Sequence, residues 1–316
     1  MSSKKISIEE FDSLVEKYKN WGRWGKDDQL GTLNFITPSA VTRAKSEINS
    51  GRTFSLSIPL NSNGPQTGAM KRFNPIHLMI RHGGDAALAG MDKQIHSADD
   101  VVLLALQCGT HWDSLAHVFH QGRLYNGYSI SEVNGDGAKK NSIDLASDKI
   151  VGRGVLLDIP KLKGKKWLDH SEPITAIDLE LAAEKERVEI REGDIVLVKT
   201  GQMTIAKENG NWERFMSREI PGLAVSCLEW ISEHKIAAVA ADNWAVEVVP
   251  YETETILLPI HILGIVYMGL TLGELFDLDG LAADCAQDAR YSFFLSAQPL
   301  PLTAAVGSPV NPIAIK

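Results

Sequence analysis

The segment Gln107-Cys-Gly-Thr-His111-Trp-Asp113-Ser-Leu-Ala-His117 concentrates groups that can hold a metal or move a proton. His111 and Asp113 are two residues apart, so extended backbone points both the same way. Asp113 and His117 are four apart, and a helix starting near Trp112 would stack them on one face. Two imidazoles and a carboxylate aimed at one point suit Zn²⁺ or Mn²⁺. Spacing alone leaves a second reading open, in which the histidines are satisfied core or surface groups. His120 reads as a polar rim residue. Cys108, Cys227 and Cys285 are widely spaced and odd in number, giving neither a disulfide framework nor a CxxC pair. Cys108 beside the motif reads as an apolar core thiol before it reads as a nucleophile.

The flanking pattern places this segment in an α/β protein. VVLLALQ (101–107) is a continuous apolar run, the mark of a strand buried on both faces. GVLLDIP (154–160), DIVLVKTG (194–201) and IAAVAADNW (236–244) read the same way, while FSLSIPL (54–60) and NPIHLMIRH (74–82) are further strand candidates. If 101–107 is a buried strand, the motif lies at its carboxyl end, where ligand sites of α/β sheets gather. Helices are expected from Ser7, with Glu10 completing a capping box, to about Lys19; after Thr37-Pro38 until Gly51; over Thr175–Glu186; and over Leu223–His234. Strands alternating with helices predict a buried, at least partly parallel sheet. With no repeat, low-complexity tract or Pro/Ser-rich linker, one domain over 1–316 is expected, carrying a helical N-terminal extension over 1–50.

Composition narrows the function classes. Among 316 residues, 32 are basic and 40 acidic, a net charge of −8 that argues against a sequence-independent nucleic-acid binder. No run reaches the roughly 18 apolar residues of a membrane span, and the N-terminus has no apolar core of signal-peptide type. A cytoplasmic protein acting on a small molecule, with neither nucleic acid nor membrane as partner, is the expectation. The sequence has no Gly-x-Ser-x-Gly elbow, no GxGxxG and no Walker motif, so serine nucleophilic catalysis and nucleotide cofactors are not indicated. Trp112 and Trp244 could stack on a planar ring, although aromatics at strand ends are more often core. Arg81 and His82 could meet a substrate carboxylate, and Asp242-Asn243 could orient a ligand, with a turn as the simpler explanation.

The motif resembles the signature His-x-Gly-Thr-His-x-Asp-x-Pro-x-His of the cyclase superfamily, the group of bacterial kynurenine formamidase, isatin hydrolase and trans-dienelactone hydrolase. WGKDDQLGTLNFITP, GRGVLLDI, GDIVLVKTG, AADNWAVE, LPIHILG and the long C-terminal stretch from LAADCAQDARYSFF onward look like a longer-chain branch of it, so the resemblance spans most of residues 20–316. It implies a single domain with a buried mixed sheet or barrel-like core flanked by helices. It also implies a metal-dependent hydrolase of an amide, formamide or cyclic, with a lactone hydrolase and a catalytically silent binding protein as alternatives.

Carried over position by position, the resemblance makes His111 and Asp113 metal ligands and His117 the acid/base. It adds His261 from LPIHILG and Glu274 from GLTLGELFDL as later ligands, with Glu247 as a rival carboxylate. From spacing alone, His261 and Glu274 would be a core histidine and a solvated acid. Gln107 stands where the signature has its first His, and Leu115 where it has Pro. A neutral amide is a poor ligand, so one divalent ion per subunit, Zn or Mn, is expected, with Gln107 beside the substrate. The resemblance further implies a homo-oligomer, dimer or tetramer, with the apolar tail QPLPLTAAVGSPVNPIAIK at or near an interface.

Overall fold

A computed structural model describes residues 5–88 and 97–316. Its centre is a nine-stranded mixed sheet. In chain order the strands are β1 (Thr53–Ser55), β2 (His111–Asp113), β3 (Val151–Asp158), β4 (Ile195–Lys199), β5 (Ala238–Ala241), β6 (Thr271–Glu274), β7 (Ser292–Ser296), β8 (Gly307–Pro309) and β9 (Ile313–Ile315). Across the sheet they run β1-β9-β7-β3-β4-β5-β6-β2-β8. The four central strands β3 to β6 are parallel, and the flanking ones pair antiparallel. This is the α/β architecture with a mixed buried sheet that the alternation predicts.

Period-2 geometry divides the central strands between two apolar layers. Val155, Leu157, Val196, Val198 and Val239 enter one core with the helices Ala176–Glu186 and Cys227–Glu233. Leu156, Ile195, Leu197, Ala238 and Ala240 enter the opposite core, with Trp112, Phe276 and Phe293. Burial on both faces is why these strands read as unbroken apolar runs. The capping boxes at Ser7/Glu10 and Thr175/Asp178 form, fixing the starts of Ile8–Tyr18 and Ala176–Glu186. A helix also begins after Thr37, but it is shorter than Gly51 suggests, spanning Pro38–Ala44 before a 3₁₀ turn through Glu47. The first fifty residues are no appendage, since Phe11, Val15 and Tyr18 belong to the first core.

Two expectations are corrected. The run 101–107 is not a buried strand: Asp99–Leu103 pairs with Ile76–Arg81 alone, in a hairpin whose residues are all exposed. Hydropathy marks a segment that must be covered; it does not say by what. The motif is therefore not at the carboxyl end of a parallel strand but is itself strand β2, antiparallel to β6. The C-terminal stretch, expected at or near an interface, contributes β8 and β9 to its own sheet, β8 at the sheet's edge, with Ser308 and Ala314 fully buried.

The β2–β6 pair leaves no spare room. Gly273 lies opposite Trp112, and a Cβ on it would sit 2.6 Å from the indole ring and 2.9 Å from the Ala240 methyl group. Gly273→Ala should lower the unfolding free energy by about 1–3 kcal/mol through this overpacking. Denaturant titration of the two proteins checks it, and equal midpoints would show that the strand pair is looser than described.

Candidate metal centre

Strand β2 divides its three side chains between the two faces. Trp112 points into the second core, where its indole N–H donates to the Ala297 carbonyl at 2.8 Å. His111 and Asp113 point the other way. Trp112 is fully buried, so its expected place at the substrate is corrected: it is a core residue that holds β2 down. Cross-strand pairing sets Glu274 directly opposite His111. After Asp113 the chain does not enter the expected helix. It turns, with the His117 amide donating to the Ser114 carbonyl, and the turn returns His117 to Asp113.

Four donor groups converge here. His111 Nε2 lies 3.5 Å from Asp113 Oδ1 and 3.6 Å from Glu274 Oε2. His261 Nε2 lies 3.3 Å from Glu274 Oε1 and 3.9 Å from Asp113 Oδ2. All four side chains are at least nine-tenths buried. His117 Nε2 is 3.6 Å from Asp113 Oδ1 and is the most open of the group, with 21 % of its side chain exposed.

Hydrogen bonds on the far side of each ring decide what these nitrogens can do. His111 Nδ1 is 2.8 Å from the Gly109 carbonyl, which can only accept, so Nδ1 carries the proton. His261 Nδ1 donates to Glu247 Oε1 at 2.6 Å, and Glu247 also accepts from the backbone N–H groups of Ile260 and His261. In each neutral ring Nε2 therefore presents a lone pair, aimed at carboxylate oxygens. His111 Nε2 and Asp113 Oδ1 are buried without a hydrogen-bond partner. Lone pairs facing lone pairs in a buried pocket repel unless positive charge lies between them.

A divalent ion fits that requirement. Atoms held about 2.1 Å from one tetrahedral centre lie about 3.4 Å apart, close to three of the four separations just given. His111, Asp113 and Glu274 form a group able to hold an ion together. Glu247, the rival carboxylate, instead orients His261 from behind, the carboxylate–histidine arrangement common around protein-bound metals.

The same charge logic sets the proton affinities. Burial opposes charge on His261, yet Glu247 and Glu274 outweigh it and push its pKa up to about 10. His111 is likewise raised against burial, by Asp113 and Glu274. Burial would lift Asp113, but His117, His111 and His261 around it hold its carboxyl far below the usual range. His117 is lowered, burial being the largest influence, and stays neutral near pH 7.

Backbone strain collects beside the distal residues. Val246, Leu258 and Leu275 adopt left-handed conformations with φ of 57°, 54° and 63°. They flank Glu247, the Pro259–His261 turn and Glu274. Such conformations cost of order 1–3 kcal/mol each and cluster where geometry matters more than stability.

The remaining sequence candidates divide. Gln107 is buried, its Nε2 lacks a partner, and the amide lies against Gly307, where a Cβ would come within 2.5 Å of Nε2. Gly307 in turn pairs with Asp113 across β2 and β8. Trp244 is partly buried between two apolar clusters containing Leu275 and Val249, with an unpartnered indole N–H. Arg81 pairs with Asp99 within the exposed hairpin. Asp242 accepts from Thr200 and Gly201, and Asn243 closes a turn with Val246, so both are structural. Cys108 is a buried free thiol, its pKa raised by burial.

Residues 54–248 match the Cyclase family, and the chain belongs to it. A crystal structure of a novel cyclase is 40 % identical and superposes with a TM-score of 0.88, covering 96 % of this chain and 99 % of that one. Isatin hydrolase A from Ralstonia solanacearum shares the fold at 18 % identity, with a TM-score of 0.63 over 87 % of this chain and 94 % of the other. So does a predicted metal-dependent hydrolase from Bacillus stearothermophilus, at 17 % identity and a TM-score of 0.50 over 83 % and 97 %. None of the curated proteins matches the chain significantly.

Because His261 is protonated at neutral pH in the metal-free protein, an arriving ion must displace a proton. Affinity should therefore rise with pH, by about tenfold per unit for each proton displaced. Glu247→Gln should flatten that slope and weaken the ion about 10–100-fold at its high-pH limit. Competition with a chromophoric chelator between pH 6 and 9 reads both, and a pH-independent affinity in the wild type would contradict the assignment.

Proposed function

We propose that the chain is a metal-dependent hydrolase that cleaves an amide bond, a formamide or a cyclic amide. The observation that carries this reading is the convergence of the His111, Asp113, His261 and Glu274 lone pairs beside one open histidine, His117. We assign one Zn²⁺ or Mn²⁺ per subunit to the four groups. Such an ion would supply Lewis acidity and lower the pKa of a water bound to it towards about 7. The fold shared with the isatin hydrolase supports the choice of bond, since isatin is a cyclic amide.

In this reading the chain's own residues do the following. His111 and His261 are fixed in one tautomer by Gly109 and Glu247, so each offers Nε2 without rearrangement. Asp113 and Glu274 supply the negative charge. His117, neutral at pH 7 because it is buried, accepts a proton from the attacking water and returns it to the leaving nitrogen, the two halves of general base and general acid action. Gln107 and Trp244 border the substrate, an amide to orient its carbonyl and an indole to face its ring. Three buried free cysteines suit the reducing cytoplasm, where we place the enzyme. Among the described residues no helix is long and apolar enough to cross a membrane.

His117→Ala should keep the ion and lose on the order of 10²–10⁴ in rate, whereas Asp113→Ala should lose ion and activity together. Elemental analysis alongside a panel of formamides, cyclic imides and lactones checks this. Turnover of lactones but no amides would move the assignment to the ester. No turnover at all, with the ion bound, would make the chain a silent binding protein. Equal loss of ion in both variants would put His117 among the ligands.

We further propose that the chain self-associates through the exposed hairpin. Ile76 and Leu78 on one strand face Leu103 and Val101 on the other across one side of the ribbon, each about half exposed or more. A lone two-stranded ribbon is marginal in water, and an apolar patch of this kind marks an interaction surface. A second copy covers it economically, because each arm presents the same surface to the other. Sedimentation should show a dimer or tetramer at micromolar concentration, and Leu78→Asp with Val101→Asp should dissociate it. A monomeric wild type would overturn the proposal.

A further inference from the structure

A cavity of about 340 Å³ lies away from the metal centre, between the turn Ile159–Leu162, the end of the helix Ala176–Glu186 and the end of the helix Asp279–Asp288. It opens where β3 ends, and β3 is three strands from Glu274 and four from His111. At about 4.8 Å per strand that is roughly 14–19 Å across the sheet. None of its lining residues belongs to the site described above.

Its chemistry is divided. Leu162, Ala182, Ala286 and Ala289 form apolar walls, while Lys161, Lys185 and Arg187 bring three cationic side chains to it. Glu186 also lines it, with only 8 % of the residue exposed. Glu186 Oε1 accepts from the Asp158 amide at 3.2 Å, but Oε2 is buried without a partner. A buried, unsatisfied oxygen costs stability unless something completes it. The cations are held in place: Lys185 Nζ donates to the Leu162 carbonyl at 3.0 Å, and Lys161 Nζ is bonded to the Tyr291 hydroxyl. Arg187 caps the helix in a left-handed conformation, φ 54°, at a position that usually takes glycine.

We infer that this cavity is a second binding site, for a small organic acid whose carboxylate meets Lys161 and Arg187 and hydrogen-bonds Glu186 Oε2, with its apolar body against Leu162 and the alanines. An anion would be repelled by an ionised Glu186. Burial, however, pushes this carboxyl up to about 8, so near pH 7 it holds a proton and donates. The volume sits at the lower end of the range for small-molecule sites and suits an acid the size of butyrate or benzoate. A bare inorganic anion would meet the charges but leave the apolar wall unused.

Calorimetric titration of the full chain carrying Asp113→Ala removes the metal centre as a competing carboxylate site. Benzoate should bind this protein saturably, with one site per subunit, more tightly than benzamide or inorganic phosphate. Lys161→Ala and Glu186→Leu, each added to that background, should weaken benzoate at least tenfold. Glu186→Gln, which keeps a neutral donor, should bind within about threefold of the parent. Absence of benzoate binding would overturn the site. So would binding indifferent to Lys161→Ala and Glu186→Leu, or phosphate binding as tight as benzoate, which would mark a plain cationic patch. Circular dichroism of each variant separates a lost site from a lost fold.

Discussion

Two imidazole lone pairs and two carboxylates face one another in a pocket from which water is largely excluded. Both rings are pinned from behind, His111 by a carbonyl and His261 by Glu247, so neither can turn away to relieve the repulsion. In the absence of an ion, protons serve as the positive charge, which is why the two histidines are driven towards their charged forms. A divalent cation satisfies all four groups at once without the protons. Much of the surrounding architecture is explained by the need to assemble such an arrangement and keep it rigid.

The sheet supplies the assembly. Pairing of β2 with β6 places His111 opposite Glu274, although 163 residues separate them along the chain, and the close fit of Gly273 under Trp112 fixes the register. His261 arrives separately, from a turn opened by Pro259 and followed by a π-helical segment, Ile262–Met268. Irregular helix of this kind is frequent at functional sites. The left-handed residues at 246, 258 and 275 lie where the backbone must turn sharply to present Glu247, His261 and Glu274. Stability is given up at those places, and the packed strands around them supply it.

Some of this was legible in the amino-acid order and some was not. The motif from Gln107 to His117 announced itself because its donors are close in sequence. The central strands and the two capping boxes were equally visible, since period and local hydrogen bonding define them. His261 and Glu274 were not visible from spacing, because only the folded sheet makes them neighbours; their selection came from resemblance. Trp112 misled for a simple reason: alternation along a three-residue strand sends the middle side chain to the opposite face from His111 and Asp113. The run 101–107 misled differently, because an apolar segment in an arm exposed within one chain has the same composition as one in a core. Glu247 was weighed as a ligand, and only the folded chain shows that its carboxylate meets His261 at Nδ1, on the side of the ring away from Asp113 and Glu274.

The most direct test of the central claim is a crystal structure of the metal-loaded protein with anomalous scattering recorded at the metal edge, paired with elemental analysis of the same sample. The account predicts one ion per subunit bound by His111 Nε2, Asp113, His261 Nε2 and Glu274, with Glu247 still hydrogen-bonded behind His261 and Gln107 outside the coordination sphere. Two fully occupied ions, or one held by Glu247 or Gln107 in place of Glu274, would contradict it.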